Sequence, residues 1–143
     1  MGHVTIDINI IGLKKKILLK NILIDTGATY TTLSLDVIKD VGAIETPYSI
    51  DLELGDGRIV KAKMYVASME IMDREGPVLI ASFENAKPVI GIQALESLGL
   101  KVDPVTSKLE TTRPKGLAYY PYFTKAINFL LSSFSINLFF MIF

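Results

Sequence analysis

Three separate stretches of this chain alternate strictly between apolar and polar residues, and that period confines the fold more than any other feature. Val4, Ile6, Ile8 and Ile10 are interleaved with Thr5, Asp7 and Asn9, and Ile50, Leu52 and Leu54 with Asp51 and Glu53. Ala62, Met64 and Val66 continue the same rule after Lys61. Successive side chains of a strand point to opposite faces, so a period of two buries one face and wets the other. Such a chain predicts half-buried strands stacked around a core.

The connections fit the same picture. Gly12 and Lys14 to Lys16 form a polar turn, and Ile17 to Leu19 return as a second strand, giving a hairpin. Gly55-Asp56-Gly57 lies between two alternating runs, and Asp-Gly in that position is a strong hairpin signal. Val78 to Ala81, Pro88 to Ile90 and Leu100 to Asp103 read as further short strands, and Leu109 begins a last one. Helix is confined to two places. Ser34 caps a short run over 34–40, and Gln93 to Leu98 makes one or two turns that Gly99 stops. Seven or eight short strands with this little helix predict an all-β, closed or partly closed barrel.

Composition removes several classes of chemistry. The 143 residues fit one domain, and 15 basic against 15 acidic residues leave no net charge, which argues against a nucleic-acid binder. There is no cysteine, so disulfides, thiolate catalysis and Cys-ligated metals are excluded. The single histidine, His3, sits near the N-terminus, a poor place for a Ser-His-Asp triad or a His-ligated metal. What remains is carboxylate chemistry, for which no metal or cofactor is expected, or binding without chemistry.

The carboxylate that stands out is Asp25. Ile22-Leu23-Ile24 runs straight into Asp25-Thr26-Gly27-Ala28. An ionised carboxylate beside a buried strand is costly unless it is paired, hydrogen-bonded or protonated. Taken alone, Asp-Thr-Gly also serves as an ordinary turn in which Asp bonds its own backbone. The ordered set says more: an apolar strand into Asp-Thr-Gly-Ala, then a Gly-Asp-Gly hairpin, then Val89-Ile90-Gly91 leading into a short helix. In that order the chain resembles the retropepsin-like aspartic proteases, in a small single-domain form of the cellular kind. The resemblance covers roughly residues 4 to 112.

The resemblance implies a retropepsin-like acid-protease barrel and a division of labour among named residues. Asp25 is the catalytic acid, and Thr26, Gly27 and Ala28 form the active-site loop. Gly55, Asp56 and Gly57 form the tip of a substrate-covering flap. Ile90 and Gly91 belong to the strand that supports the active-site loop. None of Asp7, Asp36, Asp40, Asp51, Asp56, Asp73 or Asp103 is followed by Thr-Gly, so the chain holds one such motif. The family needs two facing carboxylates, which implies a homodimer whose dyad is Asp25 and its symmetry mate. The implied activity is an aspartic endopeptidase acting on peptide or unfolded protein. The alternative is a barrel kept for dimerisation or peptide binding without turnover. Retroviral members pair an acidic residue, where Thr29 stands here, with an arginine, where Ile92 stands; both positions are uncharged in this chain.

A composition shift sets the expected boundaries: a protease domain over 1–112, a basic and aromatic linker over 113–125, and an uncharged apolar segment over 126–143. As a helix, that last segment spans about 27 Å, just short of a ~30 Å hydrocarbon core. With Arg113, Lys115 and Lys125 before it, it is expected to anchor the enzyme to a membrane with the protease domain on the cytoplasmic side. Asn128, Ser132, Ser133, Ser135 and Asn137 weaken that reading in favour of a helical tail packed on the domain or dimer of a soluble cytoplasmic protein.

Overall fold

The computed structural model describes residues 3–119. Among these residues the chain forms nine strands and two short helices, an all-β domain as the periodicity requires. The apolar segment over 126–143 and its expected helix lie outside the described residues. Among the described residues no helix is long and apolar enough to cross a membrane.

The strands pair in a ring. β1 (Val4–Ile11) runs antiparallel to β2 (Lys16–Ile24), as the sequence predicts. β2 then pairs in parallel with β7 (Val89–Ile90), which pairs antiparallel with the two-residue β3 (Thr31–Thr32). β3 lies parallel to β6 (Arg74–Ser82), β6 antiparallel to the long β5 (Ile59–Ile71), and β5 returns to β1 through Asn9↔Glu70, Ile10↔Met69 and Ile11↔Ser68. Among the described residues β4 (Ile44–Glu53) pairs only with β5, so the β4–β5 hairpin projects from the ring. β8 (Leu100–Val102) and β9 (Leu109–Thr111) form a separate two-stranded sheet.

Several strands are longer than the sequence suggests, β5 and β6 among them, and in β2 and β4 the difference has a local cause. In β2 the apolar phase breaks between Leu19 and Ile22, which reads as two elements. The strand is continuous because Lys20 and Asn21 together face the single residue Asp7 across a β-bulge. Asn21 takes a left-handed conformation there, φ 53°, and its N–H donates to Asp7 Oδ1 at 2.9 Å. In β4 the register slips between Glu45 and Ser49, where Pro47 cannot donate to a ladder. Thr46 replaces the lost pairing: its hydroxyl donates to the Met64 carbonyl at 2.8 Å and accepts the Tyr48 N–H at 3.2 Å.

Two short helices complete the domain. α1 (Leu35–Val41) has the expected Ser34 cap, with Ser34 Oγ accepting the Val37 N–H, and buries Ile38 and Val41. α2 (Ile92–Leu98) buries Ala94, Leu95 and Leu98 and ends at Gly99 with φ 70°. The main core gathers Ile8, Ile10, Leu33, Ile80, Ile90 and Leu95, among others. A smaller cluster of Ala62, Met64 and Ala81 packs with Tyr30, Leu52 and Phe83, and so connects the base of the β4–β5 hairpin to the segment following Asp25.

Candidate active site

Asp25 is the first residue after β2, and its position is set by what holds that loop. Its N–H donates to the Ile90 carbonyl at 3.0 Å, next to the parallel pairing Ile24↔Ile90. Ala28 N–H donates back to the Asp25 carbonyl at 3.0 Å, and Gly27 N–H donates to Asp25 Oδ1 at 2.9 Å. The carboxylate therefore caps its own turn, as the tripeptide chemistry allows. Asp25, Thr26 and Gly27 are all exposed, with no buried carboxylate beside the strand in the single chain.

The far side of the loop is stitched to α2. Ile92 N–H donates to the Ala28 carbonyl at 2.8 Å and Gln93 N–H to the Thr29 carbonyl at 3.1 Å. Gly91 N–H donates to the hydroxyl of Thr31, a fully buried polar side chain, at 3.2 Å. Gly91 lies so close to Tyr30 that a Cβ there would stand 2.5 Å from the Tyr30 carbonyl carbon and oxygen. Only glycine permits that approach. Ile90 and Gly91 are thus buried next to the loop.

Above the loop lies an open groove of about 910 Å³. Its walls include Asp25, Gly27, Ala28 and Tyr30 on one side and Leu52, Leu54 and Gly55 on the other. The hairpin tip is a three-residue loop closed by Leu54 N–H to the Arg58 carbonyl at 2.8 Å and Gly57 N–H to the Leu54 carbonyl at 2.9 Å. Gly57 sits at φ 87°, the left-handed position such a loop needs. Of the expected flap residues, Gly55 lines the groove, whereas Asp56 and Gly57 do not. Asp56 instead folds over the tip: its carboxylate accepts Arg58 N–H at 3.0 Å and Arg58 Nε at 2.8 Å. Those hydrogen bonds, backbone first, hold its pKa below the usual carboxylate value of 3.8.

Several groove residues carry no local signal in the sequence. Phe83, Glu84, Asn85 and Lys87 form a loop that becomes a wall because Thr32 Oγ1 donates to the Lys87 carbonyl at 2.6 Å. Arg58, at the hairpin tip, and Val60, from β5, also line the groove. Thr31 and Thr32 could not be singled out, since a two-residue strand has no visible period. Thr29 and Ile92, the uncharged pair, are joined indirectly through α2's bond to the Thr29 carbonyl. Among the described residues no group of three or more carboxylate or histidine side chains could hold a metal. Compared with protein-family models and with curated proteins, the chain finds no match.

Proposed function

We propose that this protein is a homodimeric aspartic endopeptidase. The observation that carries the proposal is the placement of Asp25: one exposed carboxylate, fixed by backbone bonds at the strand end, opening into a groove beneath a projecting hairpin. The order of motifs and the passage of the Val89-Ile90-Gly91 strand beside the loop add support.

The chemistry requires a second chain. Two carboxylates ~3 Å apart cannot both ionise, so the dyad shares one proton and titrates as a unit. The ionised partner accepts a proton from water as the water oxygen adds to the peptide carbonyl. The protonated partner donates to that carbonyl oxygen, giving a neutral gem-diol. Collapse of the diol breaks the C–N bond: the leaving nitrogen takes the dyad's proton while one diol hydroxyl gives its proton to the dyad, leaving a carboxylic acid, an amine and the one-proton dyad restored. Gly27 and Ala28 leave room for an extended peptide, which would be held by backbone bonds and covered by the β4–β5 hairpin.

The deciding experiment compares wild type with Asp25→Asn on an unfolded protein, at acidic and neutral pH, with and without pepstatin. The expected result is pepstatin-sensitive cleavage that falls at least ~10³-fold in the variant. Equal cleavage by the two proteins rejects the proposal. A second reading has one observation in its favour: Asp25 Oδ1 is already engaged by Gly27 N–H. On that reading the groove binds peptide without turnover, and wild type and Asp25→Asn bind an extended peptide alike and cleave nothing. Attachment to a membrane through 126–143 belongs to the same proposal; the full chain should then float with phosphatidylcholine vesicles at high salt.

A further inference from the structure

α2 works at both ends. Its N-terminal end holds the loop that carries Asp25, through Ile92 N–H to the Ala28 carbonyl and Gln93 N–H to the Thr29 carbonyl. Its C-terminal end is gripped by two arginines. Arg113 Nη1 donates to the Glu96 carbonyl and Nη2 to the Ser97 carbonyl, both at 2.8 Å. Arg74 Nη1 donates to the carbonyls of Leu98 and Gly99 at 3.1 and 3.2 Å. Gly99 N–H reaches the Leu95 and Glu96 carbonyls. The last four carbonyls of a helix have no partner within it, and here each of the four receives a donor.

Neither guanidinium makes an ion pair among the described residues. Arg74 is nevertheless 8% exposed, and both cations lie against the negative end of α2. The fit is tight: a Cβ on Gly99 would meet Arg74 Nη1 at 2.8 Å and Arg113 Cγ at 2.9 Å. Arg113 also fixes its own segment, since its Nε donates to the Leu117 carbonyl at 2.6 Å. A helix of seven residues has little stability of its own, so it stays formed through its buried face, Ala94, Leu95 and Leu98, together with the bonds at its two ends.

We infer that Arg113, with Arg74 beside it, is a positioning residue for the Asp25 loop, acting through α2 from outside the stretch that carries the protease resemblance. When the clamp is removed, the last turn loses its donors and the short helix frays. Ile92 and Gln93 N–H then no longer fix Ala28 and Thr29, and Asp25 loses its aim. The catalytic consequence rests on the endopeptidase proposal; the mechanical coupling does not.

The test is made in the full chain with Arg113→Ala. Amide exchange at Ile92 and Gln93 is expected to accelerate about tenfold or more, while Ile8 and Ile10 keep their protection. At a temperature where circular dichroism shows the variant folded, kcat should fall roughly 10–100-fold with KM within about twofold, and methylguanidinium should restore part of the loss. Faster exchange confined to Leu98 and Gly99, or an unchanged kcat with only a lower Tm, overturns the inference. Should Arg113→Ala not fold, Arg113→Lys carries the same exchange test, because a single ammonium cannot span two carbonyls as the planar fork does. If wild type shows no cleavage at all, the protease proposal has failed, and exchange at Ile92 and Gln93 still decides the clamp.

Discussion

At Gly91 the chain tolerates no side chain, because the Tyr30 backbone fills the space a Cβ would need. Backbone cannot turn aside as a flexible side chain can, so Gly91→Ala should lower stability by about 1–3 kcal/mol, measured as a lower urea midpoint. Thr31 supplies the matching polar contact. Thr31→Val keeps the shape but leaves the buried Gly91 N–H without an acceptor, an expected cost of about 1–3 kcal/mol. Thr31→Ser retains the bond and should keep most of the stability. Asp25 and Gly91 were both legible in the sequence, through Asp-Thr-Gly and an apolar-apolar-Gly strand. Thr31 was not, since its hydroxyl acquires a role only when β7 is laid beside β3.

Among the elements, the β4–β5 hairpin offers the sharpest test. Asp56 has a pKa held down by its bonds to Arg58, so the folded tip favours the ionised form. Its contribution is present above the unfolded value of 3.8 and is lost as pH falls through the depressed folded value. Asp56→Asn should therefore speed amide exchange at Arg58 near neutral pH, and variant and wild type should converge in acid below that value. Because the pair is fully exposed, global stability should be nearly unchanged. α1 gives a conventional comparison: Ser34→Ala removes a 3.4 Å cap and should cost about 0.5–1 kcal/mol in thermal or urea unfolding. Both elements could be read from the sequence because their signals are local: a Gly-Asp-Gly tip and a serine before an apolar helical turn. The length of β2 and β4 could not be, because a bulge at Asn21 and a proline at Pro47 interrupt the alternation that defines a strand.

For the whole molecule, the prediction concerns number of chains. If each chain supplies one carboxylate, activity must disappear on dilution below the dimer dissociation constant, with sedimentation and cleavage following the same concentration dependence. Mixing wild type with an equal amount of Asp25→Asn and letting the subunits exchange should leave about a quarter of the activity of undiluted wild type, half of what independent subunits would retain. The linker expected from 113 onward begins inside the domain: Thr112 N–H donates to the Gly99 carbonyl and Arg113 grips α2. Lys115, expected as a charge flanking a membrane segment, lies 3.7 Å from Asp73.

The sequence by itself determined that this chain is built of strands, where most of them turn, and which carboxylate stands apart. These are consequences of local physics, in which side-chain period, turn chemistry and caps act over a few residues. Only the tertiary structure decided that β7 is laid between β2 and β3, that the 83–87 loop lines one groove with the β4–β5 hairpin, and that Arg74 and Arg113 meet at one helix end. Each of those joins residues distant along the chain through backbone hydrogen bonds and packing, and the residue types involved give no local sign of the partners they will find.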